Sequence, residues 1–362
     1  MKHEIKISLI IPVFNGEQYI KRCFDILSKQ DFNENWEIII VNDASTDNSI
    51  QVIEQYKLLN LKLFSLPKNC GQSAARNLGI SKALGEYIIF QDIDDLISEK
   101  QLSTLYLNAK KNNCDMICSD FKRVENSENQ REGTYNYPSN MFFDYNEITN
   151  GMVRELYDPS LGHLGLLGCN GRLIKRSIIL NNKIYFDEKM RLLEDKIFGW
   201  NLLSFCQKVV YIREQLYTYY VNPNINTAIT DSLSHGFTLK TVKLILHHIK
   251  TSLERRNLSK KEIEKYYNQG LIFFSIHTLI TITRPMFFGK ISFENGKKIR
   301  RNLINEILND EAITLAIKNY KPSKKESYLI PKAIKWKSRW LLEFACNIRA
   351  KQTIKQRRSG KV

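Results

Sequence analysis

The most constraining feature of this sequence is the alternation of short apolar runs with amphipathic segments over its first 125 residues. The runs are rich in β-branched residues and are typical of buried strands: Ile5–Phe14, Trp36–Asn42, Leu61–Leu66, Glu86–Asp92 and Cys114–Val124. Helical patterns separate them: Glu17–Lys29, Asp47–Leu59, Gly71–Leu84 and a helix that Ser98 and Gln101 open as a capping box. Continuous apolar strands joined by helices predict a Rossmann-like α/β fold, with a mostly parallel sheet covered on both faces.

The rest of the chain predicts an extension of this domain and then a helical region. Residues 126–160 are polar and are predicted to form a loop, whereas Gly168–Leu180 and Arg191–Cys206 extend the sheet domain, the second of them as a helix. The segment Lys208–Val221 is predicted to form a hairpin, and the chain from Ser232 onward is predicted to be largely helical. We therefore expect two domains, 1–230 and 231–362.

The net charge of +16 is unevenly distributed between these domains. Residues 1–230 contain 26 basic and 28 acidic side chains, whereas residues 231–362 contain 28 basic and 10 acidic ones. A basic region of this kind is compatible with an anionic membrane surface or with a nucleic acid. The first domain is nearly neutral, so its function does not depend on a general attraction for polyanions.

Several features favour a cytoplasmic protein. The apolar run at the N-terminus is short and ends at Pro12 without the small-residue cleavage site of a signal peptide. The seven cysteines are scattered and are predicted to be reduced thiols. The most apolar helical stretch, Gly270–Ile282, includes Ser, His and Thr and falls short of the ~20 residues that cross a bilayer, so we predict a buried helix there.

Polar side chains follow three of the predicted strands at the point where each strand ends. Asn15 follows the first strand, Asp43 the second, and Asp92 and Asp94 the fourth. Ligands of open α/β sheets bind beyond the carboxyl ends of the strands, so we expect these four side chains to converge. Asp92 and Asp94 are two residues apart, so in an extended chain their carboxylates lie on the same side. Such a pair suits Mg²⁺ or Mn²⁺, and the cation could in turn hold a diphosphate. An acidic, solvated turn before a helix is the alternative.

Five segments of the chain together resemble the family 2 inverting glycosyltransferases, which have the GT-A fold. In chain order they are PVFNGEQYI (12–20), VNDASTDNS (41–49), NCGQSAARNLGI (69–80), FQDIDD (90–95) and LEDKIF (193–198). Their order and spacing are those of the family, and together they extend over most of residues 1–230. The resemblance implies transfer of a sugar from a nucleoside diphosphate donor, with UDP favoured, to the hydroxyl of a glycan or lipid-linked glycan in surface polysaccharide biosynthesis.

The resemblance also implies roles for individual residues on the donor side. The positions expected to bind the nucleotide sugar are Pro12, Val13, Asn15, Glu17, Asp43, Arg76 and Asp92. Within this set, Asp43 would accept a hydrogen bond from the uracil ring, and Arg76 would reach the base or a phosphate. Asp94, with Asp92 beside it, would bind Mn²⁺ or Mg²⁺.

On the acceptor side the resemblance implies a catalytic base. Asp195 matches the carboxylate that takes the proton of the attacking hydroxyl, and Glu194 would face the acceptor. His163 and Arg172 are weaker acceptor-side predictions, because the segment around Cys169 matches the family only loosely.

Two other functions remain open from the sequence alone. A nucleotidyltransferase on a similar scaffold would need a phosphate loop rich in glycine and lysine near its start, and the sequence contains no such motif. A nucleic-acid-binding protein would use the basic C-terminal region, but it would leave the five motifs without a purpose. We therefore expect no nucleic-acid partner.

The end of the chain carries an aromatic repeat in a strongly basic setting. Residues 331–362 include ten basic side chains and one acid, and apolar side chains recur every four residues at Trp336, Trp340, Phe344 and Ile348. One interpretation is a helix lying on the inner face of the cell membrane, which would make the protein peripheral there. The other is a helix that packs this stripe against the preceding helices.

Overall fold

The computed structural model describes residues 4–56, 60–124, 130–133, 137, 139–157, 167–190, 193–220, 238–287, 293–322 and 326–358. The chain divides into two compact units. The first unit consists of Met1–Gly151 and Leu164–Ile225, and the second of Met152–His163 and Asn226–Val362.

The first unit is built on a mixed sheet. In chain order the described strands are β1 (Ile7–Val13), β2 (Trp36–Asn42), β3 (Leu61–Ser65), β4 (Tyr87–Phe90), β5 (Leu96–Ile97), β6 (Met116–Val124), β7 (Gln130–Gly133), β8 (Met141–Phe143), β9 (Leu173–Lys175) and β10 (Val209–Tyr220). Their order across the sheet is β3-β2-β1-β4-β9-β6-β10-β5, with β7 beside β6 and β8 beside β10. The neighbours β3, β2, β1 and β4 are parallel, as are β6 and β10, while the shorter β9 is antiparallel to β4 and β6.

Seven described helices accompany this sheet. They are α1 (Glu17–Leu27), α2 (Ser49–Gln55), α3 (Gln72–Lys82), α4 (Gln101–Asn112), α5 (Tyr145–Tyr157), α6 (Arg176–Asn181) and α7 (Glu194–Leu203). The first strand shows why both faces need a cover, since all seven of its residues are buried. Leu9 and Ile11 pack in one cluster with side chains of α1 and α4, whereas Ile10 on the opposite face lies under Gly79 of α3. The predicted α/β fold with a helix-covered, mostly parallel sheet is confirmed.

Three local predictions were wrong. The segment Lys208–Val221 is one long strand, β10, because the polar residues Arg213 and Glu214 lie at a shift in the pairing register and not in a turn. The stretch 126–160 contains β7, β8 and α5, whose buried Ile148, Met152 and Leu156 are spaced as on one face of a helix.

The capping box at the start of α4 is also absent. The first helical residue is Gln101, and its side-chain amide donates to the carbonyl of Gly171 over 3.3 Å instead of turning back towards Ser98. Burial of Gln101 explains the difference, since a buried amide must find a partner within the protein.

The described part of the second unit is helical, as expected. Besides the end of α5, it contains α8 (Leu239–Glu254), α9 (Lys260–Phe287), α10 (Phe293–Asn309), α11 (Glu311–Ala316), α12 (Leu329–Lys335) and α13 (Arg339–Arg358). The stretch Gly270–Ile282 lies within α9, and the apolar side chains Leu271, Ile276 and Leu279 are buried, so the predicted buried helix is confirmed. In the part of the chain that is described, no helix offers an apolar stretch that could cross a membrane.

Candidate active site

The loops that follow β1 and β2 are fastened to each other at the carboxyl edge of the sheet. The N–H of Thr46 donates to Oδ1 of Asn15 over 2.8 Å, and the N–H of Asn15 donates to the Ser45 hydroxyl over 3.0 Å. Asn15 has a φ of 50°, in the left-handed region that asparagine tolerates better than most residues. Pro12 and Val13 lie just before it, buried in β1. The end of β1 is therefore held in one conformation.

Glu17 strengthens the same junction. Its carboxylate accepts hydrogen bonds from the backbone N–H and the side-chain amide of Asn48, each at 3.2 Å. In return, its own N–H donates to Oδ2 of Asp47 over 3.1 Å. Glu17 thus connects the start of α1 to the start of α2, and its part in donor binding stays a prediction.

Asp43 holds the loop that leads into α3. Its side chain is buried, and its two oxygens accept hydrogen bonds from the N–H groups of Cys70 at 2.7 Å and Gly71 at 2.8 Å. Gly71 has a φ of 91°, which favours glycine at this position. A carboxylate oxygen has two lone pairs, so Asp43 can still accept a hydrogen bond from a ligand.

Asp92 is fixed by three side-chain donors. Oδ1 accepts from Nε2 of Gln72 at 2.7 Å and from Nη2 of Arg76 at 2.8 Å, while Oδ2 accepts from Nδ2 of Asn170 at 2.6 Å. Gln72 and Arg76 are four residues apart on α3, so they lie on the same face of that helix. The same helix begins beside Gly71, and α3 therefore brings the surroundings of Asp43 and Asp92 together.

Arg76 connects Asp92 to the start of α7. Its side chain is only 2% exposed, and its Nη1 lies 3.8 Å from Oε1 of Glu194. Its guanidinium also lies 5.2 Å from the ring centroid of Phe186, within cation–π range. Among the described residues, Nε and Nη1 of Arg76 have no hydrogen-bond partner. A buried guanidinium with unused donors can still bind an anion, although direct contact with the nucleotide stays a prediction.

Asp94 and Asp95 complete an acidic cluster with Asp92. Each of the three offers an oxygen, and these oxygens lie within 4.8 Å of one another. Burial and the neighbouring charge of Asp92 raise the pKa of Asp94. The same two causes raise the pKa of Asp95 to about 8. Such a cluster is stabilised when a cation binds it.

Asp95 is turned towards β10, because its oxygens accept from the Tyr217 hydroxyl at 2.5 Å and from the Tyr220 N–H at 2.9 Å. The Tyr217 ring also packs against Gly171, where an added Cβ would lie 2.6 Å from it. Tyr217 thus supports the acidic turn and the segment that carries Asn170. That Asp92 and Asp94 are the pair that faces a ligand stays a prediction.

The first turn of α7 carries Glu194 and Asp195. Leu193 precedes it with a φ of 58°, an unusual conformation for a leucine. Burial and the neighbouring charge of Asp195 raise the pKa of Glu194. Asp195 accepts a hydrogen bond from the N–H of Lys196 at 2.7 Å. The positive end of a helix stabilises carboxylates at its N-terminus.

The weaker acceptor-side predictions have different outcomes. His163 lies outside the described residues. Arg172 is buried, and its Nη1 donates to the carbonyl of Asn170 over 3.0 Å, so it supports the partner of Asp92 from inside the domain. Sequence reasoning missed Gln72 and Asn170. Gln72 could have been found from its spacing of four with Arg76, whereas Asn170 had only the loosely matching Cys-Asn-Gly-Arg segment as a signal.

Comparisons with known proteins identify a family domain in this chain. Residues 8–179 match the family model described as Glycosyl transferase family 2. A cholesterol galactosyltransferase of Borreliella burgdorferi is 29% identical over 282 residues, which are 73% of this chain and 74% of that protein. The poly(ribitol-phosphate) β-N-acetylglucosaminyltransferase TarS of Staphylococcus aureus is 28% identical over 219 residues. These residues are 59% of this chain but only 35% of that protein.

A solved structure supports the fold. The crystal structure of residues 1–349 of S. aureus TarS in complex with UDP-GlcNAc has a TM-score of 0.64 and 21% identity, covering 99% of this chain and 93% of that one. At this identity the likeness concerns the fold, which is the expected GT-A architecture with a helical C-terminal region. Through residues 8–179, this chain contains a family 2 glycosyltransferase domain.

Proposed function

We propose that this chain moves a sugar from a nucleoside diphosphate donor, UDP by preference, to a hydroxyl of a surface glycan or lipid-linked glycan, with inversion at the anomeric carbon. One observation carries the proposal. Arg76 lies 2.8 Å from Asp92 on the donor side and 3.8 Å from Glu194, the neighbour of Asp195. The predicted donor site and the predicted base therefore belong to one network of charges.

Inversion needs a single in-line displacement, in which the acceptor hydroxyl attacks as the nucleoside diphosphate departs. The hydroxyl must lose its proton during the attack, and Asp195 is the carboxylate proposed to take it. No covalent intermediate with the protein is needed. Glu194 lies 3.8 Å from Nη1 of Arg76, and this charge pair is proposed to orient the start of α7 and with it Asp195.

The acidic cluster suits Mg²⁺ or Mn²⁺. These hard cations prefer carboxylate oxygens, and the oxygens of Asp92, Asp94 and Asp95 lie close enough to share one. Asp92 and Asp95 already accept hydrogen bonds from neighbouring residues, so we assign the metal chiefly to Asp94, with Asp92 beside it as the family resemblance implies. When bound, the cation supplies positive charge that stabilises the departing diphosphate.

The relatives support the substrate class. TarS has been crystallised with UDP and with UDP-GlcNAc, and its name describes transfer to poly(ribitol-phosphate). A second relative is a galactosyltransferase that acts on cholesterol. The TarS complexes favour a UDP-sugar donor, and the two names favour a polymer or a lipid as the acceptor. The two alternatives, nucleotidyl transfer and nucleic-acid binding, gain no support from these names.

The proposal includes a division of labour along the chain. Residues 1–230 would form the catalytic domain, and residues 231–362 a basic helical region. The protein would act on the cytoplasmic side, in peripheral contact with the membrane through residues 331–362. The charge of the last third of the chain supports this location.

The experiment that tests the function separates donor binding from transfer. Asp195→Asn should lower the transfer rate by about 10²-fold or more, because the substituted amide cannot take a proton. The same variant should keep the rise in melting temperature that a UDP-sugar with Mn²⁺ produces. The matched control is Asp25→Asn, which removes an exposed carboxylate of α1 and should leave both readouts unchanged.

A second variant tests the metal assignment in the same assay. Asp94→Ala should abolish both transfer and the Mn²⁺-dependent part of the melting shift, since it removes a proposed ligand. Full transfer by Asp195→Asn would contradict the base. A melting shift in Asp94→Ala that depends on Mn²⁺ as in the natural chain would contradict the metal site. Release of pyrophosphate instead of UDP would point to a nucleotidyltransferase.

A further inference from the structure

The last described helix, α13, has two apolar faces and buries only one of them. On the inner face Leu342, Ala345, Cys346 and Ala350 are at most 2% exposed. On the outer face Trp340 (74%), Phe344 (46%) and Ile348 (37%) are open to solvent, and Trp336 (66%) in the turn before α13 is exposed as well. We call these four residues the aromatic stripe.

The inner face is enough to attach α13 to its unit. Nη1 of Arg300 on α10 donates to Oδ1 of Asn347 over 2.6 Å, and Arg300 is itself buried. Cys346 beside it is fully buried. The helix therefore packs on its neighbours through residues that alternate with the aromatic stripe. Of the two interpretations that the sequence left open, packing of the stripe against preceding helices is wrong.

The aromatic stripe has an ordered, cationic setting. The rings of Trp340 and Phe344 are stacked, with centroids 5.5 Å apart and planes at 5°. Lys332, Lys335 and Lys337 surround Trp336 in the sequence, and all three are exposed. Large aromatic side chains in water are unfavourable, so a patch of this kind marks an interaction site.

We propose that the aromatic stripe and its lysines dock on an anionic lipid bilayer. Tryptophan favours the interface between water and acyl chains, and lysines beside it are attracted by anionic headgroups. A second copy of the chain is a poorer occupant, because pairing two stripes would bring two sets of lysines together. The inference deepens the proposed membrane location and rests on it, but it does not depend on the sugar-transfer chemistry.

The first test measures binding of the full chain to vesicles. The chain should co-sediment with vesicles of phosphatidylcholine and phosphatidylglycerol, and much less with phosphatidylcholine alone or at 0.5 M salt. The double variant Trp340→Ala, Phe344→Ala should lower the partition coefficient about tenfold or more, since it removes most of the aromatic area that docking would bury in the bilayer. Its matched control is Leu107→Ala with Leu315→Ala, which shortens two exposed apolar side chains elsewhere.

The second test separates the lysines from the rings. The variant Lys335→Gln, Lys337→Gln should lower binding to the anionic vesicles about tenfold at low salt, because each such cation favours the surface. The control Lys100→Gln, Lys111→Gln removes the same charge from exposed positions of the first unit. Quenching of tryptophan fluorescence by brominated lipids should be lost in Trp336→Phe, Trp340→Phe, since Trp200 is buried and Trp36 lies in β2.

Three outcomes would overturn the docking proposal. One is unchanged vesicle binding both in Trp340→Ala, Phe344→Ala and in Lys335→Gln, Lys337→Gln. Another is vesicle binding that depends on Lys335 and Lys337 while brominated lipids leave the tryptophan fluorescence unquenched. The third is concentration-dependent dimerisation of the natural chain that Trp340→Ala abolishes while vesicles do not bind, which would assign the stripe to a second copy. The melting shift produced by UDP-sugar and Mn²⁺ should be equal in all these variants, so a failed docking test leaves the proposed function standing.

Discussion

Arg76 is a cation with only 2% of its side chain exposed, and its two carboxylate neighbours belong to different parts of the site. A guanidinium can reach both at once because its nitrogens form a planar fork, whereas an ammonium is a single point of charge. We expect Arg76→Lys to weaken both halves of the site together. The loss of one buried hydrogen bond between charged groups should lower the free energy of unfolding by about 2 kcal/mol.

The measurements for Arg76→Lys are the denaturation midpoint and the transfer rate with a UDP-sugar. Both should fall, while Arg301→Lys, an exposed replacement on α10, should change neither. Natural stability and natural rate in Arg76→Lys would show that the network around Asp92 does not depend on the bridge.

Cys70 offers a reporter at the predicted nucleotide site. Of the seven cysteines it alone is exposed, and burial raises the pKa of Cys23, Cys118 and Cys169 to about 12. The N–H of Cys70 donates to Asp43, so this residue lies beside the carboxylate expected to bind the base. A thiol reagent should therefore label one cysteine quickly in the folded chain and none in Cys70→Ser.

Donor binding should protect that thiol. At a UDP concentration ten times its dissociation constant, labelling should slow about tenfold, because only the free protein reacts. The rate is followed with a chromogenic disulfide at neutral pH, with adenosine diphosphate as the control ligand. Equal rates with and without UDP would place the nucleotide away from the loop that Asp43 holds.

Among the elements, α7 is fixed by a close approach that only glycine permits. An added Cβ at Gly199 would lie 2.0 Å from the carbonyl oxygen of Leu167. Alanine favours a helix over glycine by about 1 kcal/mol, but here the clash with backbone must displace the helix. Gly199→Ala should therefore lower the melting temperature and the transfer rate together, since α7 presents Asp195.

The control for Gly199→Ala is Lys196→Ala on the same helix, where the side chain is exposed. This change should leave the melting temperature within about a degree of the natural chain, because the two residues have similar helix propensities. If Gly199→Ala were instead as stable and as active as Lys196→Ala, the position of α7 would not depend on the contact with Leu167.

The elements that could be predicted from sequence are those whose burial is uniform. The predicted strand Trp36–Asn42 is β2 residue for residue, because its centre, residues 38–41, is continuously apolar and buried. β10 was not predicted as a single strand. Its pairing register shifts around Gln215, and the exposed, polar residues there, such as Arg213, have the sequence pattern of a turn. A strand with shifts in register and a hairpin have similar local sequence patterns, and only the pairing partner distinguishes them.

The same limit applies to the site. The carboxylates at the strand ends could be predicted, because the sheet rule needs only the end of each strand. Asn170 could not, since it reaches Asp92 across 78 positions of sequence and is placed by Gly171, whose φ of 67° and contact with Tyr217 are set by tertiary structure. Likewise, the sequence could not decide which apolar face of α13 is buried.

For the molecule as a whole, the boundary in charge along the sequence does not coincide with the boundary between the two compact units. The excess of basic residues begins after residue 230, with 28 basic and 10 acidic side chains from 231 to 362. The second compact unit, however, also contains Met152–His163 from within the first half of the chain. The helix α5 thus begins in one unit and ends in the other.

The end of α5 has a consequence for any fragment that stops at residue 230. Met152 and Leu156 are fully buried, and Leu156 lies against Gly270 of α9, which such a fragment lacks. Exposing each of these side chains costs roughly 2 kcal/mol. We expect the fragment 1–230 to bind the dye ANS and to aggregate, although it keeps every residue proposed for donor binding and should still show a UDP-dependent melting shift.

One double substitution should have opposite effects on the fragment and on the full chain. Met152→Gln with Leu156→Gln should reduce ANS fluorescence and aggregation of the fragment, because the side chains are exposed there. In the full chain the same pair should lower the melting temperature, since polar amides would then be buried without partners. A fragment 1–230 that is as soluble and as silent to ANS as the full chain would show that the end of α5 belongs with the sheet, and that the catalytic domain is continuous in sequence.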